Sequence, residues 1–493
     1  MQESKLISSL KELDKKARQR FKTYVNSPYF NQHKKTIELL DYILKHLDKR
    51  PKKLAREQVF KNLFPGDKYS EQAVFNVMSS LKKLFHSFLA QQRYESKTYD
   101  EDLYLLDAAY NGNHFSLLKN RAKQFEKKLK NCAFHDHSYY YANYRYLVSM
   151  AYYDTQFEDR SKTGRLQQLT DNLDRFYLLE KLRHSIELTS NQILMNSQFD
   201  FSFLDEVLAY YRQEEERFAK DYSIRLHYTI LMSLRDDENP VYYQELKKTI
   251  QEDIHLYSPQ EQRDLYSHAN NYCVRQINKG KREFQKELFD LYKEGLRTEL
   301  IFANDILNEW NYKNITVLGC QLQEFEWTAS FLENYRSKLP PNQRENSYNY
   351  NMAHLNFSEQ RYNEALDHLL LVRFSDVKYH LNYNNLLLRI YFALGDTEAL
   401  MSLIDTFRIY VIRNRKMTTE QKKQYNNFLR FTKKLTSIKQ QPRSYGSISK
   451  QEEFAHLYLQ IRDSRNIVNR YWLEKTCREE AGTALEQLLE ENV

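Results

Sequence analysis

Residues 351–366 read Asn351-Met-Ala-His-Leu-Asn-Phe-Ser-Glu-Gln-Arg-Tyr-Asn-Glu-Ala-Leu366. The helical pattern of apolar residues in this stretch recurs at a fixed spacing on both sides of it. Three pairs of residues lie 34 or 35 positions apart, each midway along an apolar helical stretch: Leu318–Gly319, Met352–Ala353 and Leu387–Leu388. A helix-turn-helix unit of this length cannot bury its apolar face alone, so it stacks on its neighbours. The phase therefore predicts an α-solenoid.

Glycine and proline, which break helices, are scarce along the whole chain. The prediction of helices therefore applies to the whole chain and not only to the repeats. The 493 residues include nine glycines and eight prolines, and no proline occurs between Pro65 and Pro240. β-Hairpins, sandwiches and phosphate loops need such residues at their turns. We therefore expect an all-α fold, with a helical N-terminal domain followed by a solenoid of helical hairpins.

Shifts in periodicity and composition suggest five segments. We expect a basic helical domain over 1–95, irregular hairpins over 100–310, regular repeats over 311–438, a linker over 439–450, and a C-terminal capping helix with a tail over 451–493. Apolar periodicity indicates that the capping helix runs from about Glu452 to Lys475.

Positive charge is concentrated at the N-terminal end. Residues 1–100 hold 21 Lys and Arg against 11 Asp and Glu, whereas the rest of the chain holds 53 against 55. A nucleic-acid partner is therefore conceivable for the N-terminal domain and has no electrostatic support in the remainder.

Cysteine usage and hydropathy favour a cytoplasmic protein. The four cysteines show no metal-site spacing and are expected to be reduced thiols: Cys132, Cys273, Cys320 and Cys477. The first residues lack the apolar core of a signal peptide, and no aliphatic run approaches the length of a membrane span. We expect no metal, no cofactor and no membrane partner.

The regular repeats resemble the tetratricopeptide repeat. In residues 351–366, Met352–Ala353, Tyr362 and Ala365 match the large-small pair, the turn-side tyrosine and the second-helix alanine of that family. The following unit is similar, although its turn is one residue short. A looser resemblance links Ser27-Pro-Tyr-Phe-Asn31 and residues 327–344 to long helical proteins of unknown function from Bacteroidota. That second resemblance implies only a bacterial, cytoplasmic setting and gives no information about activity.

The tetratricopeptide resemblance implies a peptide-binding concave face lined by the first helix of each hairpin. The residues that it places on this face are Gln323, Tyr350, His354, Phe357, Asn385, Arg389 and Phe392. Asn385 and Arg389 are one turn apart, so the amide and guanidinium together can hold a carboxylate. The alternative is that both side chains are solvated or pair with a nearby glutamate.

The basic N-terminal domain suggests a second function. Residues 54–65 and 69–84 are similar to the helical pair of winged helix-turn-helix regulators, which implies that the second helix enters the major groove. The residues that would contact DNA are Arg56, Asn76, Ser80, Lys82, Lys83 and Ser87. Two observations oppose this hypothesis: the second helix is apolar almost all round, and no alternating pattern predicts a wing.

No catalytic motif is apparent. The sequence contains no phosphate loop, glycine fingerprint, HExxH or GxSxG motif. His135-Asp136-His137 is the one suggestive cluster, but histidines two positions apart on a helix point about 200° apart and cannot share a metal. We expect this cluster to begin a helix. The sequence thus favours a non-enzymatic scaffold or adaptor that binds a protein or peptide, with a DNA-binding transcriptional regulator as the alternative.

Overall fold

The fold is all-α. The computed structural model describes residues 4–48, 51–157, 164–195, 198–373, 377–440, 449–464 and 466–491. These ranges form 24 α-helices and short 3-10 or π turns, with no β-strand among them. Most of the expected linker, residues 441–448, lies outside the described residues.

The chain divides into two compact units. The first comprises residues 1–235 and 255–258, and the second comprises residues 236–254 and 259–493. The first unit contains α1 (Lys5–Glu12), α2 (Lys15–Asn26), α3 (Lys34–His46), α4 (Arg56–Leu63), α5 (Glu71–Glu95), α6 (Asp100–Asn111), α7 (Phe115–Lys130), α8 (His137–Phe157), α9 (Gly164–Met195), α10 (Leu204–Gln213) and α11 (Tyr222–Arg235).

Helices α1 to α5 share one hydrophobic core, which extends from Leu6 to Phe88. At its centre the ring of Phe21 contacts those of Phe85 and Phe88, with centroid distances of 5.2 and 5.1 Å. Polar side chains cap three of these helices, α1, α2 and α5. Ser70 accepts a hydrogen bond from the backbone N–H of Ala73 and thereby caps α5, as expected of a serine before a helical stretch.

The second unit is a series of helical hairpins. It contains α12 (Pro240–Lys248), α13 (Pro259–Asn278), α14 (Glu283–Arg297), α15 (Glu309–Gln321), α16 (Phe325–Tyr335), α17 (Arg344–Ser358), α18 (Tyr362–Leu370), α19 (Val377–Leu394), α20 (Thr397–Arg413), α21 (Thr419–Gln440), α22 (Lys450–Asp463), α23 (Arg470–Ala481) and α24 (Thr483–Glu491). Helix α15 packs on α16 and α17, and α17 packs on α18 and α19. Contact between successive hairpins is the packing mode of helical repeats.

Small residues allow these helices to approach closely. A β-carbon added at Gly319 in α15 would overlap the hydroxyl oxygen of Thr328 in α16. Ala353 in α17 and Ala365 in α18 are fully buried in a core that also contains Leu387. Thus the residues that define the repeat phase lie at the contacts between helices, where any larger side chain would separate the backbones.

The prediction of a single capping helix from Glu452 to Lys475 is wrong. Helix α22 ends at Asp463 and α23 begins at Arg470. Between them Asn466 and Asn469 adopt left-handed backbone conformations, with φ of 63° and 53°. Asparagine tolerates this conformation better than most residues, so the apolar periodicity continues across a break that it does not reveal. The residues expected to form a tail include the helix α24.

Candidate functional site

Most of the predicted partner-binding residues converge within the second unit. Helix α17 carries Tyr350, His354 and Phe357, and α19 carries Asn385 and Arg389. The Arg389 guanidinium lies 4.4 Å from the centre of the Phe357 ring, which joins the two helices at this point. His354, Phe357 and Arg389 remain partly exposed, whereas Tyr350 and Asn385 are buried and form the packed wall beneath them.

Two predicted residues have other positions or roles. Gln323 does not join the group, because α15 ends at Gln321 and Gln323 occupies the turn to α16 with a left-handed φ of 62°. Phe392 is buried, and its ring contacts that of Trp472 on α23 at 5.5 Å. Phe392 therefore contributes to the packing beside the site instead of offering a free face.

A lysine that the sequence analysis did not select completes the site. The ammonium nitrogen of Lys313 on α15 lies 5.9 Å from the centre of the Tyr350 ring and 5.7 Å from that of Trp310. We call the cluster formed by Lys313, His354 and Arg389 the basic well, because His354 interacts electrostatically with the other two. Its three basic side chains come from the first helices of three successive hairpins, α15, α17 and α19.

Enclosure by protein lowers the pKa of all three basic groups. Burial lowers the pKa of Lys313 to about 8. Burial, with repulsion from Arg389 and then Lys313, lowers the pKa of His354 to about 3. Burial lowers the pKa of Arg389 to about 10, partly offset by Tyr350. At neutral pH the well therefore holds two positive charges, on Lys313 and Arg389, beside a neutral imidazole.

No carboxylate of the described chain forms an ion pair with these groups. The ion pairs of this region involve other residues, such as Arg361 with Glu359. Nε of Arg389, a hydrogen-bond donor, and Nδ1 of His354 are buried without a hydrogen-bond partner, whereas the unpartnered atom of Asn385 is its acceptor oxygen Oδ1. Since buried charges are normally paired and buried polar atoms normally bonded, the well has unused binding capacity for an anion.

Aromatic rings partly stabilise the unpaired cations. Arg389 lies between the rings of Phe357 and Trp472, at 4.4 and 6.0 Å from their centres. Such cation–π contacts contribute roughly 0.5–2 kcal/mol each, less than a desolvated cation loses on leaving water. The rings hold the charged groups in place without neutralising them, so the positive potential remains available to a ligand.

Side chains of α21 and α23 also contribute to the surroundings of the basic well. Trp472 on α23 also contacts Phe428 of α21 at 6.1 Å, which fixes its ring beside Arg389. Tyr425 of α21 hydrogen-bonds with the side chain of Asn385. These contacts join helices separated by many residues, and no local sequence signal indicates them.

The predicted DNA-contacting residues are spread along α4 and α5. Asn76, Lys82 and Lys83 are exposed. Arg56 forms an ion pair with Glu71, and Asn76 accepts a hydrogen bond from Gln72 at 2.9 Å. Ser80 is half-buried, and Ser87 hydrogen-bonds with Tyr24.

Helix α5 has an exposed side, although its sequence is apolar almost all round. Phe75 is 64% exposed and Leu89 40% exposed, while Val74, Leu81 and Phe85 are buried. The described residues contain no strand that would form a wing. The helical pair is thus present, and its exposed side carries two lysines together with apolar rings.

The cluster at 135–137 begins a helix, as predicted. Oδ1 of Asp136 accepts hydrogen bonds from the backbone N–H groups of Ser138 and Tyr139, at 2.9 and 3.0 Å, and so caps α8. The ring of His135 stacks on that of Tyr139 at 4.0 Å. Among the described residues no group of three or more His, Cys, Asp and Glu side chains is arranged to hold a metal ion.

Comparison with known proteins identifies no relative. The chain matches no protein-family model, no curated protein and no solved structure. Over the described residues, no helix is both long and apolar enough to cross a membrane. The basic well therefore has to be interpreted from its own chemistry.

Proposed function

We propose that this protein is a non-enzymatic scaffold or adaptor that binds an acidic segment of a partner protein in the basic well. A carboxylate of the partner would accept hydrogen bonds from Lys313 and Arg389, and the aromatic rings would contact the neighbouring part of the segment. The packing of successive helical hairpins in the second unit supports this proposal, because helical repeats present continuous surfaces to extended ligands.

The observation that carries the proposal is the absence of a counter-ion for Lys313 and Arg389 within the described chain. Holding cations without a counter-ion in an enclosed site is unfavourable for the free protein, because each has lost part of its hydration. An incoming carboxylate would offset this loss of hydration and accept charge-assisted hydrogen bonds from the guanidinium. The unfavourable interaction in the free protein thus becomes part of the affinity for an anionic ligand.

Intrinsic fluorescence provides a direct test in the full chain. Trp310 and Trp472 lie beside the basic groups, whereas Trp327 packs elsewhere, on Phe289. We expect N-acetylaspartate amide to change the emission saturably at low ionic strength, and the neutral isostere N-acetylasparagine amide to have little effect. Equal responses to the two compounds would contradict the proposal.

Substitutions locate the effect. Arg389→Met keeps an unbranched apolar stem but removes the charge, and we expect it to weaken binding of N-acetylaspartate amide at least about tenfold. Arg361→Met is the matched control, because Arg361 is exposed and paired with Glu359. An Arg389→Met protein that binds like the control would show that the response arises outside the well.

Capture from the native cell tests the biological role. Partners captured by the wild-type chain should be lost when Asn385→Ala and Arg389→Ala are combined, and retained by Arg361→Met. Unchanged binding of every partner to the double variant would overturn the proposed role. Performing the capture with and without nuclease separates partners that are proteins from those held through nucleic acid.

The alternative, a transcriptional regulator that binds DNA through α4 and α5, is supported by the exposed lysines Lys82 and Lys83. It predicts binding of duplex DNA that weakens steeply with salt, since each phosphate contact releases a counterion. If the full chain shows no salt-dependent binding of duplex DNA at low ionic strength, this alternative is eliminated. We favour the scaffold because the basic well offers unpaired, enclosed charge and α5 offers solvated charge.

A further inference from the structure

The second unit contains a cleft that shares helix α15 with the basic well. It has a volume of about 380 Å³ and is bounded by α13, α14, the loop of residues 300–303 and α15. Four asparagines line it, two on each side: Asn270 and Asn271 on α13, and Asn311 and Asn314 on α15. We call it the amide cleft.

The amide cleft has free hydrogen-bonding capacity. Oδ1 of Asn270 is buried and has no hydrogen-bond partner. Asn314 hydrogen-bonds to the side chain of Tyr292, which orients its amide at the cleft wall. A carboxamide presents one acceptor and two donors, and therefore can pair with the N–H and C=O groups of a peptide bond.

The two charged side chains of the amide cleft, Arg263 and Asp264, are linked to each other through hydrogen bonds. Nη2 of Arg263 donates to Oε1 of Gln260 at 2.8 Å, and Nε2 of Gln260 donates to Oδ1 of Asp264 at 2.9 Å. The cleft thus carries one positive and one negative side chain, joined through an amide. This arrangement favours a neutral polar ligand such as a peptide backbone, in contrast to the anion favoured by the basic well.

The walls of the amide cleft are held in place. The backbone N–H of Ile301 donates to the carbonyl of Gly295 at 3.2 Å, and Ala303 and Ile306 exchange two hydrogen bonds of 3.0 Å. The N–H of Leu307 donates to the carbonyl of Lys338 at 2.9 Å. A loop fixed in this way loses little conformational freedom on binding a ligand.

Helix α15 connects the two sites. Trp310 and Lys313 face the basic well, and Asn311 and Asn314 face the amide cleft. Each residue of an α-helix is rotated about 100° from the last, so these two i, i+3 pairs form adjacent stripes on one helix. A ligand that crosses α15 would reach both sites.

We propose that the amide cleft binds the main chain of the same acidic segment whose carboxylate occupies the basic well. This inference rests on the proposed function and adds the identity of the ligand backbone: an extended peptide, bound through its N–H and C=O groups without regard to its side chains at that point. Neighbouring helices lie roughly 8–10 Å apart, a distance that three to four extended residues span.

Synthetic peptides test the inference without knowledge of the natural partner. The probe is an acetylated and amidated nonapeptide with one central aspartate and four glycines on each side, so that it reaches the cleft in either direction. Its affinity is compared with that of N-acetylaspartate amide, using the fluorescence of the full chain. Two hydrogen bonds to the backbone should tighten binding about tenfold.

One change in the peptide and one in the protein test whether hydrogen bonds to the peptide backbone cause the gain in affinity. Replacement of every glycine by sarcosine removes the N–H donors while keeping the chain length, and should abolish the gain. Asn270→Ala or Asn311→Ala, made separately, should reduce the gain without affecting N-acetylaspartate amide. Asn363→Ala, at an exposed position of α18, serves as the matched control.

The possible outcomes separate the two proposals. If N-acetylaspartate amide binds and the glycine peptide binds no more tightly, the amide cleft has no role and the basic well stands. If the sarcosine peptide binds as tightly as the glycine peptide, the backbone is not recognised by hydrogen bonds and the inference is overturned. If neither the short nor the long aspartate compound binds, both proposals fail.

Discussion

Two regions of this chain carry positive charge in opposite ways. The N-terminal hundred residues hold the whole basic excess, with 21 Lys and Arg against 11 Asp and Glu. Their side chains are largely solvated, and several are paired, as Lys22 is with Asp41 at 2.7 Å and Lys35 with Glu38 at 2.9 Å. The basic well lies in the remainder of the chain, where the charges nearly balance, yet within the part of the chain that the structure describes its cations have no acidic partner.

This difference shows that net charge and binding capacity are separate properties. A solvated lysine interacts weakly with any one ligand, because water and salt screen it. An enclosed, unpaired cation interacts strongly, because the ligand replaces interactions that the free protein lacks. The composition directs attention to the N-terminal domain, whereas burial and pairing direct it to Lys313 and Arg389.

The largest expected contrast comes from the same substitution in each region. Arg389→Met should weaken acidic-ligand binding about 10- to 100-fold and leave the free energy of unfolding unchanged or higher, because it removes an unpaired enclosed charge. Arg18→Met should have no effect on that binding and should lower the free energy of unfolding by about 1–3 kcal/mol. Arg18 donates to the carbonyls of Leu10 and Lys11 and to Asp48.

Chemical denaturation and the fluorescence titration measure these two quantities. A loss of stability in Arg389→Met as large as that in Arg18→Met would mean that Arg389 has a structural partner within the chain. The two regions would then not differ as described.

The next effect is a dependence of binding on pH. Burial lowers the pKa of Lys313 to about 8, so this group loses its charge as the pH rises through 8. The dissociation constant of N-acetylaspartate amide should increase about three- to tenfold from pH 7 to pH 9.5, and the Lys313→Met protein should show a flat profile. A wild-type profile that is also flat would contradict the role of Lys313.

The same titration affects stability in the opposite direction. The native pKa of Lys313, about 8, lies below the value of about 10.4 for an unfolded lysine. Between these values the unfolded state binds more protons than the native state, so the free energy of unfolding should rise with pH relative to Lys313→Met. Denaturation curves at pH 7.5 and 10 measure this; no difference in slope between the two proteins would contradict the prediction.

A smaller effect is expected at the edge of the well. Trp472→Leu keeps an apolar side chain between Arg389 and Phe428 but removes the aromatic face that lies 6.0 Å from the guanidinium. Loss of one cation–π contact should weaken binding of the acidic ligand about two- to fivefold. The titration in this variant relies on Trp310, and an affinity equal to that of the wild type would show that the ring does not help position Arg389.

The smallest effect should follow removal of solvated charge. Lys82→Gln combined with Lys83→Gln should change the free energy of unfolding by less than about 0.5 kcal/mol and leave acidic-ligand binding unaltered, since both side chains are exposed. Any effect on duplex DNA binding would appear as a reduced salt slope. A large loss of acidic-ligand binding in this variant would place the anion site in the N-terminal domain.

Much of the fold can be predicted from the sequence because helices follow local periodicity. The scarcity of glycine and proline predicts the all-α class, and the repeat phase falls on real helix contacts at Gly319, Ala353 and Ala365. The break between α22 and α23 could not be predicted in this way. Asn466 and Asn469 end the helical path through backbone conformation while apolar residues on both sides keep the period.

The candidate site was predictable only in part. Spacing along α17 and α19 identifies His354, Phe357 and Arg389, since residues one turn apart share a face. The helical spacing was extended past Gln321, where α15 ends. It therefore selected Gln323, which lies in the following turn, and missed Lys313. Trp472 lies 83 positions from Arg389 in sequence and reaches it through the packing of α23, a non-local contact that periodicity does not encode.

Thermal unfolding with and without N-acetylaspartate amide tests the central claim most directly, because a ligand that binds the native state raises its stability in proportion to ln(1 + [L]/Kd). At a concentration several times its dissociation constant, this compound should raise the Tm of the wild type and of Arg361→Met, and should not change that of Arg389→Met. N-acetylasparagine amide should have no effect on any of them. An equal rise in Tm in wild type and Arg389→Met, or no rise in either, would contradict an anion site in the basic well.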